Sequence, residues 1–301
     1  MSDRPPGAPE TEAPDQGDVA RSDRLAARAR SRRSNLLAGV LAALAVGGVL
    51  WWQDVFIRRH AAPDPLPTGP AEMAPPPGEQ AEARKLIDQR LAAAKDYAPF
   101  LDLLAQRFPA DSAQIRDGFA TRAIADKGAA TPDRFVADAL KNLRETRGVL
   151  AAKADAPLMS RVFEAQGAML AALRDADAKL CVDFVYGGAT DAFMAFSASH
   201  RALLAGVAQA SLDAILDGAD KRIERDAPTD EDFALLEKAL RDKGMGDAEV
   251  ATLLDGKTAD PPLADERMCD AARAYVTAVL GMPEPARSRV LALAIELMAR
   301  S

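Results

Sequence analysis

The chain has 301 residues, 38 Lys plus Arg against 45 Asp plus Glu, and only 5% aromatic side chains. An acidic, mixed-sign surface repels a polyanion on average, so nucleic acid is excluded as the expected partner. Beyond residue 60 the only histidine is His200, which removes multi-histidine zinc sites, and neither a metal nor a cofactor is expected.

Residues 1–35 are polar and carry Pro5, Pro6, Pro9 and Pro14, the composition of a disordered tail. Then comes Leu36 to Trp52, 17 residues without a charge, about 25 Å as a helix at 1.5 Å per residue. Extended through Ile57, it is long enough to span a bilayer, with Trp51 and Trp52 at headgroup level. The run begins far from the N-terminus and lacks a small-x-small cleavage site, so residues 36–57 are expected to stay as a signal-anchor. Arg21, Arg24, Arg28, Arg30, Arg32 and Arg33 precede it and only Arg58 and Arg59 follow closely, which orients the N-terminus to the cytoplasm. Gly39, Ala43 and Gly47 repeat small residues on one face, a pattern that allows a homodimer through the membrane helix.

Residues 58–80 are rich in proline and read as a linker, leaving 81–301 as the exported domain. Arg outnumbers Lys 28 to 10 and no N-x-Ser/Thr sequon is present, which suggests a GC-rich bacterial source and therefore an inner membrane and a periplasm.

Helical periodicity runs through the whole exported part, so an all-α, irregular bundle of about eight helices is expected. Leu86, Ile87 and Leu91 open the first helix, which Pro99 should break or kink. A second occupies 111–126. Thr131 followed by Pro132 marks an N-cap and first helical position for a helix to about 150. Leu158, Val162, Ala165, Met169, Leu173, Ala176, Leu180 and Phe184 predict one helix over 157–185, stopped by Gly187 and Gly188. Phe193, Phe196, His200, Leu203 and Val207 predict another over 190–217, the pair forming an antiparallel hairpin. Thr229 with Asp232 forms a capping box for a helix to about 243, followed by helices over 247–255, 263–280 and 284–300.

Four groups of residues invite a chemical reading. Ala251 to Thr258, ATLLDGKT, matches a relaxed phosphate-binding loop, but such a loop needs a strand before it and a helix after it. Here a helix precedes Gly256, and Pro261-Pro262 prevents one from following promptly. His200, with Ser197, Ser199 and Asp191 nearby, could form a relay, yet it falls on the apolar stripe with Phe196 and Leu203 and is expected at the core or its edge. Asp213, Asp217 and Asp220 share one helical face and lack the pattern of a calcium loop. Cys181 and Cys269 read as a disulfide in an oxidising compartment, or as two buried thiols in a reducing one.

No reaction motif emerges. The expectation is a periplasmic interaction or scaffold protein of the cell envelope, held by the bilayer through 36–57 and binding another envelope protein. An envelope hydrolase working through paired carboxylates is the alternative, because such pairing is three-dimensional and invisible in sequence.

Overall fold

A computed structural model describes residues 76–125 and 130–300. The tail 1–35, the apolar segment 36–57 with Gly39, Ala43 and Gly47, and the linker as far as residue 75 lie outside the described residues. Among the described residues there are twelve α-helices and no strand. The all-α expectation therefore holds, while the count of about eight does not.

The helices are α1 (Pro77–Ala93), α2 (Ala98–Arg107), α3 (Pro109–Ala125), α4 (Pro132–Ala151), α5 (Ala156–Ala176), α6 (Ala178–Val185), α7 (Asp191–Ser199), α8 (Arg201–Lys221), α9 (Asp230–Asp242), α10 (Asp247–Asp255), α11 (Asp265–Leu280) and α12 (Ala286–Arg300). A 3-10 turn, Lys95–Tyr97, joins α1 to α2. Helix α1 begins inside the stretch read as linker, because a proline at the first helical position has its φ already set for a helix.

The extra helices come from breaks that the apolar spacing of the sequence does not mark. Asp177 adopts an extended conformation (φ −164°, ψ 121°) and its carboxylate caps α6 by accepting from Lys179 N at 2.8 Å, splitting the segment expected as one helix into α5 and α6. His200 (φ −129°, ψ 39°) separates α7 from α8 without a side-chain cap. At Thr131 the outcome matches expectation: its side chain accepts from Arg134 N at 3.2 Å, with Pro132 first in the helix.

The centre of the bundle is α8 packed against α4 and α5, with α12 against α4 and α11 against α5 and α6. Helix α4 contributes Phe135, Val136, Ala139 and Leu143 to the core, α5 contributes Met159, Phe163, Met169 and Leu173, and α8 contributes Leu204, Ala208, Leu212 and Ile215. Helices α1 to α3 cover one side through Ile87, Phe100, Leu104 and Phe119, the last edge-on to Phe135 at 5.2 Å. Near-complete burial of a Leu or Phe side chain contributes about 1.5–3 kcal/mol, which makes this apolar cluster the main source of stability.

The C-terminal ends of α4 and α8 meet at Gly218, where a Cβ would lie 2.7 Å from the Leu150 carbonyl carbon and 3.1 Å from Ala154 N. Only glycine permits that approach. Polar bonds then tie the junction. Ile223 N donates to Lys153 O at 3.0 Å, Asp155 N donates to Asp217 at 2.8 Å, and Arg225 reaches the Ala152 and Ala154 carbonyls. Since Asp155 precedes α5 and is bound by Asp217 and Lys221 at the C-terminal end of α8, these two helices run antiparallel. The hairpin partners are therefore α5 and α8 as expected, but α6 and α7 lie between them in the chain instead of a bare glycine turn.

Candidate functional site

Carboxylates are the most abundant reactive groups, and the structure commits the buried ones to cations. Asp133, in the first turn of α4, accepts from Tyr97 Oη at 2.6 Å and from Arg201 Nε at 3.2 Å. Asp232, third residue of α9, accepts from Thr229 N at 2.8 Å and in a two-pronged pair from Arg289 at 2.7 and 2.8 Å. Glu249, third residue of α10, accepts from Gly246 N at 3.1 Å and from Arg267 Nε at 2.9 Å. Hydrogen bonds from Arg289 hold Asp232 below the usual carboxylate range, and those from Arg267 do the same for Glu249. Tyr97 moves the other way: burial raises its phenol and the bond to Asp133 adds to the shift.

These three acids did not stand out in the sequence as ion-pair centres. Asp232 is legible as a capping residue, but its arginine lies 57 positions away. Asp133 and Arg201 are 68 apart. No local signal links such pairs.

Two grooves on the described surface bear on the candidate chemistry. The larger, of about 630 Å³, is lined by Pro157, Ser160, Arg161 and Glu164 of α5 together with Glu284 and Arg287. It brings two carboxylates together, as a glycosidase would require. A general acid needs a raised pKa, whereas for Glu284 the cost of burial is outweighed by hydrogen bonds from Ser288 and Arg287, and its carboxyl stays low. Arg287 Nε lies 2.9 Å from Glu284. The groove is thus shallow, mixed in charge and already internally paired at Glu284.

The smaller groove, of about 170 Å³, contains the phosphate-loop match. Ala251 to Asp255 is the end of α10, and Gly256 is its left-handed cap at φ 61°. The loop therefore meets the carbonyl end of a helix, which carries partial negative charge and repels a phosphate. Lys257 Nζ is bound to Asp255 at 3.0 Å, and Thr252 Oγ1 donates to Lys257 O at 2.9 Å.

His200 is exposed, at the break between α7 and α8, and its ring stacks on Phe196 at 4.1 Å. Of the two expected positions, core or its edge, His200 takes the edge, because the helix stops one residue before it. Its Nδ1 lies 3.0 Å from the Phe196 carbonyl oxygen, a contact that is a hydrogen bond only when Nδ1 carries the proton. The same Nδ1 lies 3.0 Å from the Ser199 hydroxyl oxygen, which donates to that carbonyl at 2.8 Å, so the roles within this cluster follow the tautomer. Asp191 pairs with Arg134 at 2.6 Å, and Ser197 is fully buried. Ser199 and His200 are thus in reach of each other, but the Asp191 carboxylate that would complete a relay is committed to Arg134.

Asp213, Asp217 and Asp220 take separate partners: Gln209, Lys221 and Arg107. Among the described residues no group of three or more His, Cys, Asp and Glu side chains could hold a metal ion. Cys181 of α6 and Cys269 of α11 are both fully buried and stand at disulfide distance, with Cα atoms 5.7 Å apart. Helix α8 is the one described helix long and apolar enough to cross a membrane by length and composition, and here it is the bundle's central core helix.

No family model, no curated protein and no solved structure matches the chain.

Proposed function

We propose that this chain is a membrane-anchored scaffold or interaction protein of the bacterial cell envelope. Residues 36–57 hold it in the inner membrane with the N-terminus cytoplasmic, Gly39, Ala43 and Gly47 provide a face for self-association there, and the helical domain binds another envelope protein from the periplasm. One observation carries the reading: the three buried carboxylates among the described residues, Asp133, Asp232 and Glu249, are each bound to an arginine, and the groove that holds Glu164 and Glu284 is open and has Glu284 already paired with Arg287. The juxtaposed Cys181 and Cys269 support an oxidising compartment. The hydrolase alternative has one foothold, the shared groove of Glu164 and Glu284.

The test is in-cell photo-crosslinking from Leu86, Val149 and Leu235, the large apolar side chains exposed on α1, α4 and α9. At least one position should give a discrete adduct with another envelope protein, and Asp at that position should abolish both the adduct and complementation of a deletion. Glu164→Gln and Glu284→Gln should complement fully. A purified chain that turns over peptidoglycan, and loses turnover in either glutamine variant with unchanged melting temperature, would overturn the scaffold reading.

A further inference from the structure

Helices α9 and α10 share one construction. In each, the third residue is a carboxylate that accepts the backbone N–H of the residue before the helix and also grips an arginine outside the pair: Asp232 takes Thr229 N and Arg289 of α12, Glu249 takes Gly246 N and Arg267 of α11. Of the three buried charged residues among those described, two are these carboxylates. Each one is at once a helix cap and a tether to the body, so a single protonation removes the charge that strengthens both.

The surrounding chain is arranged to let this pair move without unwinding its neighbours. Residues 222–229 before α9 and 256–264 after α10 are non-helical. The entry is pinned to the end of α4 by Ile223 and Arg225, so 226–228 is the first stretch between that pin and the cap of α9. The exit leads into α11, which Cys269 places against α6. On its inner face the pair buries Leu236, Leu240, Met245, Val250 and Leu254.

We infer that residues 226–264 form a hairpin that opens from the bundle as one unit, and that Asp232 and Glu249 together govern its opening, with acid as the trigger. The charged groups around them are Arg289 with Asp226 and Glu284 beside it, Arg267 of α11, and the Arg241 guanidinium that joins Glu237 to Asp247 within the hairpin. The sign follows from linkage. Both carboxyls sit below their ordinary range in the folded chain, so their contribution is complete above the unfolded value of about 4 and fades as pH falls through the lower folded values. Apolar burial of Leu236 and Leu240 holds the hairpin at neutral pH; the two tethers decide when it leaves.

Hydrogen exchange of the full 301-residue chain in detergent tests this, reading protection of 230–255 relative to α4 at each pH. As pH drops below about 4, protection should fall in 230–255 before it falls in α4. Asp232→Asn combined with Glu249→Gln should raise exchange in the hairpin at neutral pH by about 10- to 100-fold for each of the two sets of charged hydrogen bonds lost, and should flatten its pH response. If the double variant does not fold, the pH series on the unsubstituted chain decides. Hairpin protection that tracks α4 through the whole series, or a folded double variant with unchanged hairpin exchange, overturns the inference.

Discussion

Gly218 and Gly206 occupy one helix, α8, yet should respond to alanine with opposite signs. A Cβ at Gly218 would lie 2.7 Å from the carbonyl carbon of Leu150 and closer still to its oxygen, while a Cβ at Gly206 would meet nothing within 4 Å. Carbon atoms pack comfortably at about 3.5–4.0 Å, so the first contact is repulsive and its partner is backbone that cannot rotate away. Separating α8 from α4 also strains the bonds of Ile223 and Asp155 that close the junction. Overpacking of this kind costs about 3 kcal/mol, from which the better helix propensity of alanine subtracts about 1. Gly218→Ala should therefore lose about 2 kcal/mol net, and Gly206→Ala, free of the clash, should gain up to about 1. At about 2–4 °C per kcal/mol, thermal unfolding followed by circular dichroism should show Gly218→Ala melting about 4–8 °C lower and Gly206→Ala up to about 4 °C higher. A Gly218→Ala chain as stable as its parent would refute the close crossing of α4 and α8.

Cys181→Ser should cost about 4 to 5 kcal/mol on the chain-entropy account of a bridge closing 88 residues, and reductant should destabilise the parent but not the variant; two thiols titrating in the unfolded, unreduced parent would contradict it. Tyr97→Phe removes a hydrogen bond to a buried carboxylate and should cost about 1.5–3 kcal/mol in urea unfolding. Because burial and Asp133 raise the Tyr97 phenol in the folded chain, its contribution is complete below the unfolded value of about 10 and is lost as pH climbs above it. The parent should then lose stability above about pH 10 more steeply than Tyr97→Phe, and equal slopes would remove Tyr97 from the account.

What the sequence disclosed and what it withheld divide along range of interaction. Thr131 with Pro132, Thr229 with Asp232 and Gly256 announce helix ends because caps act within a few residues, and all three lie at the helix ends read from them. The breaks at Asp177 and His200 were hidden because the apolar spacing continues across them, from Leu173 to Leu180 and from Phe196 to Leu203. Periodicity reports spacing along the chain, and a spacing that carries on past a break does not mark it. The ion pairs of Asp133 and Asp232 lie beyond any local pattern, since their arginines arrive from helices 68 and 57 residues later. The phosphate-loop string failed on context that was itself readable: a helix before the glycine.

The central claim, an exported domain on an uncleaved anchor, is tested most directly by adding protease to intact spheroplasts of cells carrying the chain with an epitope at each end. The account predicts that the domain after residue 60 is digested while the N-terminal epitope stays protected until the membrane is lysed. A digested N-terminal epitope with an intact domain would contradict the orientation, the compartment and the proposed partner together.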